Sequence, residues 1–364
     1  MESVVAVFWK AKRVFLTGHT GFKGAWLSLW LLQLGAELKG YALDPPTSPS
    51  LYDASGLASI MNSTIGDIND LAKMKSELIA HQPEIVFHLA AQSLVRLSYD
   101  DPIATYQTNV IGTANLLEAV RACPSVRAVV VITTDKCYEN REWIWPYRET
   151  DTLGGHDPYS NSKACAELVV SAYRNSFFHH PNPSGTRVAL ASARAGNVIG
   201  GGDWARDRLI PDIVRAFSVG EVMRIRNPRA TRPWQHVLEP LRGYLLLAEG
   251  LFKPDYSLAT GWNFGPEFSD AKPVEWIVDR VSETWGSGAK WKLDEGNHPH
   301  EAQMLKLDWS KAAHELNWRP ALHLTDALDM TVSWYTRYLA GEPARALTLQ
   351  QIAAYSERVT SAMP

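Results

Sequence analysis

The chain alternates between short apolar runs and longer segments in which apolar residues recur every three or four positions. Residues 12–17 form the first apolar run, which ends at a glycine cluster, and residues 22–34 then show the helical pattern. Further apolar runs, separated by more helical patterns, follow at 38–43, 84–89, 128–133 and 188–193. Because strands without polar alternation are buried on both faces, this order predicts an α/β fold with a doubly wound, parallel Rossmann sheet.

A second, smaller unit is predicted from the loss of this alternation beyond Arg194. The chain continues with a Gly-Gly-Gly-Asp-Trp stretch, a basic segment at 224–232, and helical patterns near 236–251 and 274–285. We expect residues 1–193 to form the Rossmann domain, with residues 236–264 returning to it. Residues 194–235 and 265–364 are expected to form a smaller α/β lobe.

Composition excludes several classes of protein. Of the 364 residues, 46% are hydrophobic and 21% are charged, which is typical of a folded globular chain. The formal net charge of -3 gives no overall field that would attract nucleic acid or an anionic membrane. Three cysteines are too few for a disulfide framework or a zinc site, and no apolar run reaches the roughly 18 residues of a membrane span. With no signal-like start, a cytoplasmic protein is expected.

A glycine cluster lies where the first apolar run gives way to the first helical pattern. Glycines spaced three apart let the backbone turn sharply and approach a pyrophosphate, whose charge is stabilised by the amides and dipole of a helix N-terminus. A packed turn without a ligand is the alternative, but the strand-turn-helix context favours a dinucleotide site. The candidate cofactor-binding residues here are Gly18, Thr20, Gly21, Phe22, Lys23 and Gly24.

Acidic residues follow the next two strands. Asp44 lies about twenty residues beyond Gly24, where a carboxylate accepts hydrogen bonds from the adenosine ribose and repels a 2′-phosphate. This favours NAD over NADP, although Asp44 could instead only open the Asp-Pro-Pro turn, and Lys23 could help to hold a phosphate. Asp67 and Ile68, after the third strand, are candidates for the adenine end, with a solvated loop as the alternative.

Tyr159 and Lys163 form a Tyr-x-x-x-Lys pair directly after Pro158, a residue that favours the first turn of a helix. The spacing of four places both side chains on one helix face. A phenol with a pKa of about 10 is a poor base at neutral pH, and a neighbouring ammonium favours the phenolate. A catalytic role for the pair is favoured because Thr134 follows a buried strand. Ligands bind at the carboxyl ends of the strands in such sheets.

Five motifs together carry a family resemblance: the glycine cluster at 18–24, His-Leu-Ala-Ala-Gln at 88–92, Thr-Asp-Lys-Cys-Tyr at 134–138, the Tyr159/Lys163 pair and Arg-Ala-Gly-Asn-Val at 194–198. From Lys12 to about Trp334 the chain resembles the extended short-chain dehydrogenase/reductase family of NAD-dependent epimerases and dehydratases. Within it, the chain is most similar to the nucleotide-sugar 4,6-dehydratase branch. Gly-Gly-Gly-Asp-Trp at 200–204 and Arg-Pro-Trp-Gln-His-Val at 232–237 resemble members that act on CDP-glucose.

The resemblance implies a hydro-lyase that converts CDP-D-glucose to CDP-4-dehydro-6-deoxy-D-glucose, in deoxysugar synthesis for cell-surface polysaccharide such as lipopolysaccharide O-antigen. It implies that a tightly held NAD takes a hydride from C4 and returns it to C6. Tyr159, assisted by Lys163 and Thr134, would remove the proton of the 4-hydroxyl. Asp135 would protonate the departing 6-hydroxyl while water is eliminated across C5 and C6.

Position 136 departs from the wider branch, in which a Glu commonly serves as the base at C5. A lysine with a pKa of about 10.4 becomes a base only when burial or a nearby positive charge lowers that pKa. Members that act on CDP-glucose are similar to this chain in carrying Lys here, so Lys136 supports the narrower resemblance. Its role stays open between C5 base and cationic stabiliser of the enolate, with a solvated surface lysine as the alternative.

By resemblance, the cofactor site also includes Ala90, Ala91, Gln92 and Thr133, together with the pair Tyr159 and Lys163. A CDP-sugar brings two phosphates, which need local positive charge and amide donors. The candidate substrate-binding residues are Ser93, Arg96, Asn197, Arg208, Arg226 and Arg232. Each arginine could instead be a solvated surface charge. The Rossmann domain would thus hold NAD, and the smaller lobe would hold the sugar nucleotide.

The remaining expectations concern metals and partners. The run His298-Pro299-His300-Glu301 lacks the helical spacing of a zinc site, so no metal is expected. By analogy with related enzymes we expect a homodimer or a dimer of dimers, paired through the helix near 105–122 and the Tyr159 helix. Neither nucleic acid nor a membrane is expected as a partner.

Two other functions fit parts of the pattern. A nucleotide-sugar epimerase, or a reductase that releases NADH, would need the Tyr159/Lys163 pair but no acid and second group at positions 135 and 136. A non-catalytic dinucleotide-sensing protein usually loses the tyrosine or the lysine, whereas Thr134, Tyr159 and Lys163 are all present. No residue by itself distinguishes cytosine from thymine, so the choice of nucleotide rests on the resemblance.

Overall fold

The computed structural model describes residues 4–181, 185, 187–253, 256–286, 288–296 and 304–361. The strands in these ranges are β1 (Arg13–Thr17), β2 (Glu37–Ala42), β3 (Asn62–Ile65), β4 (Ile85–His88), β5 (Ala128–Ile132), β6 (Ala189–Ala195), β7 (Asn197–Ile199), β8 (Met223–Ile225), β9 (Thr231–Arg232), β10 (Trp234–His236), β11 (Gly261–Phe264), β12 (Lys272–Pro273) and β13 (Trp291–Leu293).

The helices are α1 (Val4–Trp9), α2 (Phe22–Gln33), α3 (Leu51–Ala54), α4 (Leu71–His81), α5 (Val95–Asp100), α6 (Pro102–Tyr106), α7 (Gly112–Arg121), α8 (Pro158–Ser176), α9 (Leu209–Ser218), α10 (Leu238–Phe252), α11 (Val274–Trp285), α12 (Ser310–Glu315), α13 (Leu324–Leu339) and α14 (Ala344–Ser361). A π-helical turn spans Gln107–Ile111, and short 3₁₀ helices span Leu57–Ser59, Asp135–Cys137 and Phe268–Asp270.

Seven parallel strands form the main sheet, in the order β11-β6-β5-β4-β1-β2-β3. The chain builds outward from β1 in one direction through β2 and β3, and then crosses back to build β4, β5 and β6 in the other. The order therefore reverses between β1 and β4. In such sheets the loops on either side of this reversal diverge at the carboxyl ends of the strands and leave a crevice for a ligand.

Both faces of this sheet are buried. On one face Phe15, Val86 and Val129 pack against α4, α7 and α8, and on the other Leu16 and Phe87 pack against α2 and α10. All five side chains are fully buried, and each such burial stabilises the fold by about 1.5 to 3 kcal/mol. The continuous apolar runs follow from this double burial, and the predicted doubly wound parallel sheet is confirmed.

The smaller lobe is built from short paired strands and helices. Its strand pairs are β7 with β10, β8 with β13, and β9 with β12. After β10 the chain returns to the main sheet, because α10 packs on β5 and β6 and β11 pairs in parallel with β6. The final helix, α14, lies against α2, where the Tyr355 ring meets the Trp30 ring edge-on at 5.9 Å.

The predicted helix at 105–122 differs from the structure in its start and its regularity. Helix α6 begins at Pro102, with the Asp101 carboxylate accepting a 3.0 Å hydrogen bond from the Ala104 amide. The π-helical turn then separates α6 from α7. An Asp-Pro helix start is a recognisable capping signal, so the beginning of this helix could have been found from the sequence.

Two further findings concern the expected absences. Among the helices that the structure describes, none is both long enough and apolar enough to cross a membrane. In the same residues no group of three or more metal-binding side chains is placed to hold an ion. The run His298–Glu301 lies outside the described residues.

Candidate active site

A cavity of about 1990 Å³ lies at the carboxyl ends of the main-sheet strands and extends into the smaller lobe. Every candidate cofactor, catalytic and substrate residue predicted from the sequence lines this cavity. The residues come from segments that are far apart in the chain, including the glycine cluster, the ends of β2 to β5, the start of α8, and the β7 to β9 region. One cleft therefore contains both predicted halves of the site.

The glycine cluster forms the tight turn that a dinucleotide needs. Gly18 has a φ of +78°, and a Cβ at this position would lie 2.6 Å from the backbone nitrogen of Ala90. A Cβ on Gly24 would overlap the carbonyl oxygen of Gly18. Thr20 fixes the turn by donating a 2.9 Å hydrogen bond to the carbonyl of Leu43. The backbone of the turn is thus packed too closely against neighbouring backbone for a side chain at either glycine. Helix α2 begins immediately after the turn, with its free amides at the cavity.

The residues predicted for the adenosine end lie along the same wall. Asp44 is exposed two residues beyond the end of β2. The Asp67 carboxylate accepts a 2.9 Å hydrogen bond from the Asn69 amide, while the carbonyl of Asp67 accepts one from the Tyr41 hydroxyl. Ile68 is buried and packs against α7 at Gly112. This wall offers a free carboxylate for a ribose beside an apolar surface for a base.

The start of α8 places Tyr159 and Lys163. The Asp157 carboxylate caps the helix by accepting a 2.9 Å hydrogen bond from the Ser160 amide, and Pro158 occupies its first turn. The Tyr159 amide donates to the Ser98 hydroxyl at 3.1 Å, which joins the helix start to α5. One turn later the Lys163 ammonium donates to the carbonyl of Ile132 at 3.4 Å. Both side chains are buried at the cavity wall.

Burial decides the protonation behaviour of this pair. It raises the pKa of Tyr159 to about 12, although a hydrogen bond with the Thr134 side chain opposes the rise. Burial also lowers the pKa of Lys163 to about 8, with the Glu167 carboxylate opposing the fall. The phenol therefore needs a charged neighbour before it can act as a base near neutral pH, and Lys163 can supply that charge while it is protonated.

The 3₁₀ turn after β5 presents the remaining candidates. Thr134 donates a 2.9 Å hydrogen bond to Oδ1 of Asp135. The other oxygen, Oδ2, is buried and has no hydrogen-bond partner among the described residues. Burial raises the pKa of Asp135 above its usual range. Lys136 is partly exposed, and its ammonium lies 5.9 Å from the centre of the Tyr159 ring. The turn thus presents a buried carboxyl group to the cavity, with one oxygen that is not hydrogen-bonded to any described residue.

The predicted substrate residues face each other across the outer cleft. Arg208 donates to the Ser93 hydroxyl at 2.8 Å and forms an ion pair of 2.8 Å with Asp203. The Asp207 carboxylate lies 3.1 Å from Arg96.

Three more cationic or polar residues complete this region. Arg226 lies 3.9 Å from the same Asp207 oxygen. Arg232, on β9, is close enough to Asp135 to favour its ionised form. Asn197 begins β7 at the cavity wall. Three arginines of the smaller lobe, Arg208, Arg226 and Arg232, therefore line the cavity, and guanidinium groups are suited to binding phosphates.

Three acidic residues of the site were not predicted from the sequence. Asp203 and Asp207 hold the arginines described above, although Asp203 belongs to the Gly-Gly-Gly-Asp-Trp stretch that carried part of the resemblance. Glu167, one turn after Lys163, was also missed, and it accepts a 2.5 Å hydrogen bond from Thr133. The Thr133 hydroxyl is therefore engaged with α8. Spacing of four along a helix was the one available signal for Glu167.

Comparison with known proteins places the chain in a family. The family model described as GDP-mannose 4,6 dehydratase matches residues 15–331. The chain belongs to that family. The structure shares the fold of dTDP-glucose 4,6-dehydratase from Streptomyces venezuelae, with 24% identity, a TM-score of 0.73 and coverage of 89% of this chain and 97% of the other. It also resembles UDP-glucose 4-epimerase from Thermotoga maritima, with 22% identity, a TM-score of 0.75 and coverage of 90% and 99%.

Sequence relatives extend the comparison. The chain is 56% identical, over 97% of its own length and 98% of the other's, to CDP-glucose 4,6-dehydratase from Salmonella typhimurium. It is 28% identical to dTDP-glucose 4,6-dehydratase from Xanthomonas campestris, over 74% of this chain and 77% of the other. The resemblance found in the sequence motifs is therefore confirmed across nearly the whole chain.

Proposed function

We propose that this protein catalyses the NAD-dependent dehydration of CDP-D-glucose to CDP-4-dehydro-6-deoxy-D-glucose. The observation that carries the proposal is the buried Asp135 carboxyl, in the same cleft as Thr134, Tyr159 and Lys163. One of its oxygens has no hydrogen-bond partner in the part of the chain that the structure describes. The first group suits the elimination of water, and the other three suit the oxidation that must precede it. The choice of CDP-glucose is supported by the 56% identity to the Salmonella enzyme, against 28% to the dTDP-glucose relative.

The residues present fit NAD as the cofactor. The closed turn at Gly18 and Gly24 admits a pyrophosphate against the amides of α2. The exposed Asp44 carboxylate is placed to accept hydrogen bonds from the ribose hydroxyls and would repel the 2′-phosphate of NADP. When bound, NAD supplies the redox chemistry at C4 and C6 of the sugar.

Oxidation at C4 requires removal of the proton from the 4-hydroxyl. Tyr159 takes that proton through its phenolic oxygen, and the Thr134 side chain opposes the rise that burial causes in the pKa of Tyr159. Lys163 lies one turn away on the same helix, and an ammonium there favours the phenolate. The charge of Arg208 also opposes the effect of burial on the pKa of Tyr159. Both residues are fixed by the capped start of α8, so the base is oriented before substrate arrives.

Elimination then requires an acid at the 6-hydroxyl and a group at C5 that removes the proton or stabilises the enolate. The 4-ketone acidifies the C5 proton, and Asp135 protonates the departing hydroxyl through Oδ2. The raised pKa of Asp135 keeps a larger fraction of the carboxyl protonated than an exposed aspartic acid would have. Lys136 lies at the same turn, and we assign it to C5, either as the base or as the cation that stabilises the enolate.

An epimerase on the same scaffold is disfavoured by Asp135 and Lys136. Inversion at C4 needs only oxidation and reduction at that carbon, and it has no use for a buried acid beside the tyrosine. A dinucleotide sensor is disfavoured because Thr134, Tyr159 and Lys163 converge at the cavity wall.

The cellular setting and assembly are also part of the proposal. We place the enzyme in the cytoplasm, as a step of deoxysugar synthesis for cell-surface polysaccharide such as O-antigen, and as a homodimer or a dimer of dimers. Support for assembly comes from exposed apolar side chains on α5, α6, the π-helical turn and α8, which adjoin one another: Leu97, Tyr99, Ile103, Ile111 and Leu168. A second copy would cover this surface.

The test uses CDP-glucose that carries deuterium at C4. We expect the 4-keto-6-deoxy product to carry the deuterium at C6 and catalytic NAD to suffice, because one bound cofactor both accepts and returns the label. Mass spectrometry and NMR identify the product and its labelled carbon. UDP-, GDP- and dTDP-glucose serve as matched substrates and should react more slowly. Stoichiometric NADH, or a C4 epimer with the 6-hydroxyl retained, would exclude the dehydratase assignment.

A further inference from the structure

A buried ion pair lies directly behind the Tyr159/Lys163 pair. Glu167, on α8 one turn beyond Lys163, is 4% exposed and faces Arg194 on β6, which is equally buried. The carboxylate accepts two hydrogen bonds from this arginine, at 2.9 Å from Nε and 2.8 Å from Nη2. It also accepts one from Thr133 at 2.5 Å and one from Ser192 at 2.6 Å. Each carboxylate oxygen thus has two donors and no capacity is left unused.

The arginine is held as firmly as the carboxylate. Its Nη1 donates to the Tyr138 hydroxyl at 2.7 Å, and that hydroxyl donates to Asn263 on β11 at 2.8 Å. Gly261 leaves room for the guanidinium, because a Cβ there would lie 2.8 Å from Nη2 of Arg194. Four segments of the Rossmann sheet and its loops therefore converge on one buried pair.

Such a pair is costly to build. The attraction between the two charges only partly offsets the free energy of removing them from water. A protein with apolar residues of similar size in their place is often equally stable. Stability alone gives little reason for an ion pair at this position. Its location supplies another reason. The carboxylate contacts Thr133, which follows β5 directly and precedes Thr134 and Asp135, and Glu167 lies one turn from Lys163.

We infer that Glu167, held by Arg194, is a positioning residue for the proposed reaction: its carboxylate supplies the counter-charge for the Lys163 ammonium and anchors the strand end that carries Thr134 and Asp135. This inference rests on the proposed function for the roles of Lys163 and Asp135. Glu167 itself acts through those residues.

The charges around Lys163 make the effect of Glu167 measurable. Burial lowers the pKa of Lys163 to about 8, and Glu167 opposes that fall. Burial would raise the pKa of Glu167, but Arg194 and the hydroxyl donors bring it below its usual range, so the carboxylate stays charged. Without that charge, the pKa of Lys163 should fall further, and the ammonium that activates Tyr159 would be lost at a lower pH.

Other titratable groups face Lys163 from neighbouring elements. His88 on β4 stays neutral, because burial lowers its pKa to about 3. Cys137 after β5 also stays neutral, because burial raises the pKa of its thiol. Lys23 on α2 has its pKa lowered to about 8 by burial and titrates in the same range as Lys163. The experiment must therefore observe Lys163 itself.

The experiment compares the parent enzyme with Glu167→Gln and Glu167→Asp. The first reading is kcat for CDP-glucose between about pH 6 and 9.5. Because Lys163 works in its charged form, Glu167→Gln should move the alkaline limb down by about one pH unit. The rate would then be about tenfold below the parent at pH 8.5 and close to it at pH 6.5. The Asp variant keeps the charge and should keep the limb near its parental position. KM should change little.

The second reading needs no activity. Protein labelled with ¹³C at the lysine ε-carbons is titrated by NMR, and the Lys163 signal is identified by its loss in Lys163→Arg. Its midpoint should fall in Glu167→Gln and stay in place in Glu239→Gln. Glu239 is a matched control, because its buried carboxylate accepts bonds from Ala321, Leu322 and Tyr355 and faces another part of the fold.

The outcomes separate the two proposals. An unchanged Lys163 midpoint in Glu167→Gln, or an equal loss of rate at every pH, overturns the positioning role. A shifted midpoint in a protein that does not dehydrate CDP-glucose overturns the proposed function and leaves the charge coupling intact. Should Glu167→Gln fail to fold, the double variant Glu167→Gln/Arg194→Met leaves no unpaired buried charge. Its Lys163 midpoint should fall by less, because the loss of the Arg194 charge acts in the opposite direction, and a midpoint that does not fall overturns the positioning role.

Discussion

Because Tyr159 is assigned to oxidation and Asp135 to elimination, we predict that Tyr159→Phe and Asp135→Asn block different steps of the reaction. Asparagine has nearly the shape of aspartate and can still accept the hydrogen bond that Thr134 donates to Oδ1. It replaces Oδ2, the oxygen without a partner, by an amide that cannot deliver a proton to a leaving hydroxide. Oxidation at C4 should therefore survive while elimination slows.

The size of the loss follows from the single proton transfer that is removed. A positioned general acid contributes about 10² to 10⁴ in rate, which corresponds to about 3 to 5 kcal/mol of transition-state stabilisation. The fold should tolerate the change. Burial already favours the uncharged acid, and the amide is uncharged as well. A shift in melting temperature of more than a few degrees would show that the variant had lost packing in addition to its acid.

The assay mixes enzyme, NAD and CDP-glucose in a stopped-flow instrument and follows the absorbance of the reduced nicotinamide. Asp135→Asn should accumulate this absorbance as bound cofactor and form product slowly. Tyr159→Phe should show neither absorbance nor product, because the proton of the 4-hydroxyl has no acceptor. Product formation by Asp135→Asn at near the parental rate would show that another group is the acid, and the roles at positions 135 and 136 would have to be reassigned.

Two further variants test the cofactor end and the assembly. Asp44→Ala should weaken NAD binding by about 1 to 3 kcal/mol, the value of a hydrogen bond to a charged group, and should bring the affinities for NAD and NADP closer together. Equilibrium titration with both dinucleotides measures the two affinities. An unchanged ratio of these affinities would show that Asp44 serves only to form its turn. Ile103→Glu places a charge on the exposed apolar surface and should lower the mass found by sedimentation. Ile144→Glu, at a similarly exposed position in a loop, should leave the mass unchanged. Equal masses for the two variants would exclude that surface as an interface.

The fold was predictable where burial is complete on both sides of a strand. β1, β4 and β5 read as continuous apolar runs because no face of these strands meets water. The glycine turn and the Tyr159/Lys163 pair were predictable for a different reason, since their chemistry is set by local spacing. These features need no knowledge of distant contacts.

The missed parts of the site depend on long-range contacts. Glu167 bonds Arg194, 27 positions away, and Asp207 bonds Arg96, 111 positions away. No local pattern marks a carboxylate as the partner of a particular arginine at such a separation. The helix start at Pro102 was missed for another reason, because the Asp101-Pro102 capping signal was not used.

The contact between α14 and α2 has a consequence for how the chain can be altered at its C-terminal end. Arg345 donates a 2.6 Å hydrogen bond to the carbonyl of Ser55, and the Tyr355 ring meets the Trp30 ring on α2. During synthesis α2 emerges from the ribosome early, yet its outer face stays uncovered until the residues of α14 have been made. Deletion of α14 would expose Trp30 on the helix that begins at the glycine turn. Cofactor affinity should therefore be sensitive to changes made more than 300 residues away in the sequence.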